Sequence, residues 1–212
     1  MPAPTTSTVE IYLAGARAVV AALADPAVAG AWDRPSVLEG QAVSGLAGHL
    51  ARGGVWLVGE YLDEPPPPGA PDHATAAGYF AHHVARLGED DHAAIRDRGA
   101  AVAAEGRDEI VARARAALAA LDRRLPAEPA DRLVRGAGQV MPLDAYLDTR
   151  IVEQVVHLDD LARSVDVAWA VPDASWARVV AIGAEIGRLR HGGPAMVRAL
   201  YRTAAAGTLP VM

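Results

Sequence analysis

Three side chains that can hold a divalent cation stand at informative spacing in this 212-residue chain. Glu153 and His157 lie four residues apart in Arg150-Ile-Val-Glu-Gln-Val-Val-His-Leu-Asp-Asp160. On a helix that spacing puts both side chains on one face. Arg150 and Asp160, three residues outside this pair on either side, fall near the same stripe. Ile151, Val152, Val155, Val156 and Leu158 make the rest of the segment apolar. A buried carboxylate needs a partner to stay ionised, and that partner is either a cation from the chain, such as Arg150, or a metal. His49, in Leu46-Ala-Gly-His-Leu-Ala51, offers a third ligand from a second helix. Two imidazoles and a carboxylate suit zinc, with nickel or iron as further options, and three protein ligands leave one position open for water or substrate. Spacing alone leaves the choice open, because Glu-x-x-x-His recurs in many helices and a lone His on an apolar face is usually a hydrogen-bonded core residue. Glu60 lies eleven residues after His49, close to three α-helical turns, on a line that also passes Gly53 and Trp56. It is a candidate for the same pocket, weighed against an exposed helix-end carboxylate. Arg150 can neutralise Glu153 or Asp160, or grip a substrate carboxylate bidentately; the structural role is favoured.

The composition bounds what such a site can serve. The chain is 51% hydrophobic and 22% charged, enough apolar material for a sizeable core. A net charge of −6 and a pI near 5.6 argue against nucleic acid as a partner. No apolar run approaches a membrane span and the opening residues carry no signal-peptide pattern, so the expected location is the cytoplasm. There is no cysteine, which excludes disulfides, thiolate ligands and a cysteine nucleophile; any thiol chemistry must come from a small molecule.

The elements that must position these residues are helical throughout. Thr5 to Ser7 cap a first helix to about Ala24. A second runs from about Val43 to Leu62 and carries His49, with glycines at 45, 48, 53 and 54 that let a neighbour approach closely. Asp63 to Pro71, rich in proline, is a stiff connector. A third helix starts at Asp72 or Thr75 and passes Leu87, with a continuation beyond Gly88 to Ala104. A fourth covers about Asp108 to Leu125. Val134 to Met141 is a glycine-containing loop with room for a short extended segment, and Pro142 opens the fifth helix, which carries Glu153 and His157 to about Val165. Ala174 to Leu189 and Ala195 to Ala205 form two further helices, and Gly207 to Met212 shows no pattern. The expected fold is all-α, an antiparallel four-helix bundle over 5–170 with a helical extension over 171–212. His82, His83 and His92 read as surface residues, Arg190 and His191 as a helix end, and Trp32 and Trp56 as packing.

Ser36-Val-Leu-Glu-Gly-Gln-Ala-Val-Ser-Gly-Leu-Ala-Gly-His49-Leu-Ala, followed by Arg150-Ile-Val-Glu153-Gln-Val-Val-His157-Leu-Asp-Asp160-Leu-Ala, resembles the mycothiol-dependent maleylpyruvate isomerase family of the DinB/YfiT-like metalloenzymes. The resemblance spans roughly residues 5 to 168. It implies a DinB/YfiT-like four-helix bundle in which His49, Glu153 and His157 hold a divalent metal, usually zinc. Asp160 matches the family's acidic position after the second histidine and would orient an imidazole. It also implies mycothiol as cosubstrate, its sulfur held as thiolate on the metal for transfer to, or isomerisation of, a small electrophile. Two alternatives stand beside it: a hydrolase in which the metal activates water, and a non-catalytic helical module whose polar stripe is satisfied by Arg150. A homodimer fits such bundles.

Overall fold

Ser7 starts the first helix as its spacing predicts: its hydroxyl accepts from the Glu10 amide at 3.2 Å, and the Glu10 carboxylate accepts from the Ser7 amide at 2.8 Å. This reciprocal capping box fixes the start of α1 (Thr8–Ala24). The computed structural model describes residues 6–202; Thr5, the segment from Thr203 to Ala205 and the Gly207–Met212 end lie outside them. α2 (Pro26–Gly30) follows, capped by the Asp25 carboxylate on the Ala27 amide at 2.8 Å.

The predicted second helix is one continuous rod with an irregular middle. α3 (Val43–Ala51) passes into a π-helical turn, Arg52–Trp56, and then into α4 (Leu57–Asp63). The Leu57 amide donates to the Arg52 carbonyl, five residues back. The predicted third helix divides at Gly88. α5 (Ala76–His82) ends in a 3₁₀ turn, Val84–Arg86, and α6 (Glu89–Ala103) begins afresh. The reason is local: Gly88 is extended, its amide donates to the Asp91 carboxylate at 2.9 Å, and Glu89, Asp90 and Asp91 place three acids on the new N-terminus.

α7 (Arg107–Arg124) leads to a hairpin of β1 (Leu133–Gly136) and β2 (Gln139–Pro142), where a glycine-containing loop was expected. Its two-residue turn holds Ala137 and Gly138 at φ 50° and 79°, the handedness that suits the strand twist. Strands of four residues are too short for an alternating pattern to be read. α8 (Leu143–Val165) is unbroken over 23 residues and stops at Asp166 in the left-handed region. α9 (Asp173–His191) and α10 (Gly193–Tyr201) complete the described chain, with Gly192 at φ 83° closing α9 beside Arg190 and His191.

α1, the α3–α4 rod, α7 and α8 pack against one another around Tyr12, Leu23, Leu46, Leu50, Leu147 and Ile151, all fully buried. α6 lies along α3, and α9 packs on α5 and α8. The α3–α6 contact is backbone against backbone: a Cβ on Gly48 would sit 2.5 Å from the Gly99 carbonyl oxygen, and one on Gly99 would sit 2.7 Å from that of Gly45. The glycines expected to admit a close neighbour do so here.

Candidate metal centre

His49 from α3 and Glu153 and His157 from α8 converge on one point. The His49 Nε2 lies 3.1 Å from Glu153 Oε2, the His157 Nε2 lies 3.5 Å from the same oxygen, and the three donor atoms fall within 4.8 Å of one another. The rings stand edge to face, centroids 4.9 Å apart. Zinc–ligand bonds of about 2.0–2.2 Å in tetrahedral geometry put neighbouring donors about 3.3–3.6 Å apart. The two distances to Glu153 are thus close to those a tetrahedral cation requires. His157 Nδ1 faces Asp160 Oδ2 at 3.0 Å, so the far nitrogen is engaged by a carboxylate and Nε2 is turned inward, the arrangement that orients metal-bound imidazoles.

The electrostatics of the cation-free cluster are those of groups that need positive charge between them. Burial would raise the Glu153 carboxyl, but hydrogen bonds from His157 and His49 and the Arg150 charge hold it well below its ordinary value. Burial would lower the His157 imidazole; the bonds to Asp160 and Glu153 outweigh that and raise it to about 9. Proton or metal, the cluster keeps a cation beside Glu153.

Arg150 is placed as the structural reading expects, tied by Nε to the Thr149 hydroxyl at 3.0 Å and by Nη1 to the Gly53 carbonyl at 3.3 Å, with its guanidinium over the Tyr146 ring. It also lines, with His49 and Glu153, a cavity of about 570 Å³ between the α3–α4 rod and α8 on one side and α5 and α6 on the other. Arg52, Tyr61, Tyr79, His83 and Arg98 line it too. His83, expected on the surface, is half-buried there and stacked on Tyr79 at 5.3 Å; His82 and His92 are exposed.

Glu60 is not in this cavity. It is exposed and pairs with Arg113 of α7 at 3.1 Å, and the same guanidinium lies 4.2 Å over Trp56, which is buried as packing. The π turn is the cause. One extra residue in the rod delays the helical line by one position, so the stripe running from His49 continues through Gly53, Leu57 and Tyr61 instead of Trp56 and Glu60. Tyr61 is the residue the α-helical spacing misses, and the paired glycines at 53 and 54 are the only local hint of irregularity.

A largely helical protein with a partly buried His/Glu/His cluster, two members of which line a cavity, is thus defined. Residues 13–162 match the family described as mycothiol maleylpyruvate isomerase N-terminal domain, and the chain belongs to that family. No curated protein and no solved structure matches it. No described helix is long and apolar enough to cross a membrane.

Proposed function

We propose that this protein is a divalent-metal-dependent enzyme that uses a low-molecular-weight thiol, mycothiol, to transfer to or isomerise a small electrophilic substrate, and that its core is a DinB/YfiT-like four-helix bundle over 5–170 carrying a helical extension over 171–212. The observation that supports it best is the convergence of His49, Glu153 and His157, with Asp160 behind, beside a cavity lined by His49 and Glu153 and large enough for a small substrate. These three residues would hold the metal; two imidazoles and one carboxylate favour zinc, with nickel or iron able to replace it. A bound cation of this kind would lower the pKa of a coordinated thiol and so supply the nucleophile that the cysteine-free chain lacks. The chain's own part is to orient and to neutralise. Asp160 fixes the His157 ring, and Arg150 balances Glu153. Arg52 and Arg98 line the same cavity, together with Asp91, and neither forms an ion pair among the described residues, so an electrophile carrying a carboxylate would find two cations there besides Arg150.

Metal analysis of purified wild type, His49→Ala and His157→Ala tests the first half: metal in the wild type and none in the variants is expected. A wild type free of metal after reconstitution with zinc, nickel and iron sinks the reading. Cobalt substitution tests the second half. A sulfur-to-metal charge-transfer band on adding mycothiol is expected, whereas cobalt bound with no such band leaves a metal-activated water and a hydrolase.

A further inference from the structure

We infer that Tyr12 and Gln154 are positioning residues for the metal centre, acting through the π turn that follows His49; the inference rests on the metal reading above. A π turn widens the helix and loosens its hydrogen-bond ladder, so such turns survive where something outside the helix holds them. Here three successive carbonyls of Arg52–Trp56 are each taken by a side chain from another helix. Gly53 accepts from Arg150 of α8 at 3.3 Å, Gly54 from Gln154 Nε2 of α8 at 2.8 Å, and Val55 from the Tyr12 hydroxyl of α1 at 3.0 Å. Tyr12 and Gln154 are fully buried. A core this apolar has no ordinary use for an amide, and burying one costs free energy unless it is bonded. The Gln154 Nε2 is bonded to Gly54, while its Oε1 is buried with no hydrogen-bond partner among the described residues, packed so closely on α1 that a Cβ on Gly15 would lie 2.2 Å from it. The amide is wedged between α1 and the π turn.

The consequence for the site is geometric. Gln154 follows the ligand Glu153 directly, and the turn it grips begins three residues after the ligand His49. The Gln154–Gly54 bond therefore fixes the separation of the two helices that supply the ligands, one residue from Glu153 and five residues from His49. The Tyr12 bond holds the next carbonyl of the same turn from α1. Together they also hold the one-residue offset that directs Tyr61 rather than Glu60 to the cavity.

Tyr12→Phe and Gln154→Leu, each loaded with Co(II), test this with the full chain. Tyr12→Phe removes one oxygen atom and Gln154→Leu conserves volume, so far-UV circular dichroism should match wild type. Expected are faster amide exchange across residues 52–57, a Co(II) affinity lower by about 10–100-fold, the range for groups that orient a ligand from behind, and an altered visible spectrum of the bound cobalt. If exchange accelerates while affinity and spectrum stay those of wild type, the turn does not position the site and the inference falls alone. If Gln154→Leu fails to fold, Tyr12→Phe decides by the same readings. A wild type that takes up no cobalt overturns the metal reading and this inference with it.

Discussion

The two helical elements that build the candidate metal centre solve the same task in opposite ways. α8 supplies Glu153, His157 and Asp160 from one unbroken helix, at steps of four and three residues. Their relative placement is set by helix geometry alone. The α3–α4 rod supplies His49 and the opposite wall, and its geometry is set from outside. Side chains of α1 and α8 hold the π turn, and α6 presses on Gly45 and Gly48 of α3. α8 is consequently the rigid half of the site, and the rod is the half whose shape depends on its neighbours.

Ligand deletion on either side should have the largest effect. His157→Ala and His49→Ala each leave two donors and should abolish stoichiometric zinc binding at micromolar protein, measured by atomic absorption after dialysis. Asp160→Ala should retain the metal more weakly, by about 10–100-fold. If Asp160→Ala binds like wild type, the α8 half is not organised by its own helical neighbours, and the comparison breaks.

The rod's dependence on its neighbours can be tested away from the metal. A methyl group on Gly48 would stand 2.5 Å from the Gly99 carbonyl oxygen, a backbone atom that cannot rotate aside. Gly48→Ala should lower stability by about 1–3 kcal/mol, visible as a fall in Tm of several degrees by calorimetry. An unchanged Tm would show that α6 yields readily and is no constraint on the rod.

The same contrast explains what could be read from the chain before its structure. The stripe on α8 was legible because Ile151, Val152, Val155 and Leu158 bury the helix around it, so the pattern and the fold agree. The triad followed once His49 was placed on a facing helix. Illegible were the consequences of contacts made by residues distant in the chain. Nothing local announces that Tyr12 and Gln154 will donate to the Gly54 and Val55 carbonyls, and the paired glycines at 53 and 54 hint at an irregularity without giving the one-position slip of the rod. His83 looks like its neighbour His82, and only the stop at Gly88 and the return of α6 turn it toward the cavity. Of the short hairpin, only a loop with a short extended segment was legible, because strands of four residues are too short to show their pairing.

The far end of α8 offers a milder test of how little support that helix needs. Just beyond it, the Trp169 indole donates to the Asp25 carboxylate at 3.0 Å. That bond, and then the bond from the Ala27 amide, hold the Asp25 carboxyl below its ordinary value. A depressed carboxyl contributes stability above the unfolded pKa and loses it as pH falls through the folded one. The Trp169 environment should therefore be constant from neutral pH down to about 3.9 and change below it. Indole fluorescence during acid titration follows this, with Asp25→Asn as the control that should remove the step. A transition centred above pH 4 would mean the bond is not what lowers Asp25.

The smallest effect is the most pointed. Glu60 stands on the His49 line if the rod is an α-helix throughout, and on the outer face, against Arg113, once the π turn is counted. Its pair is solvent-exposed, so Glu60→Ala should change stability by about 0–1 kcal/mol and leave zinc affinity and thiol binding as in wild type. Tyr61→Phe, one residue on, removes only a hydroxyl from the cavity wall and should weaken substrate-analogue binding while sparing the metal. The two neighbours thus separate by face and not by chemistry. Were Glu60→Ala to weaken binding and Tyr61→Phe to leave it untouched, the rod would be a plain α-helix in solution, and the dependence of its shape on Tyr12 and Gln154 would have no basis.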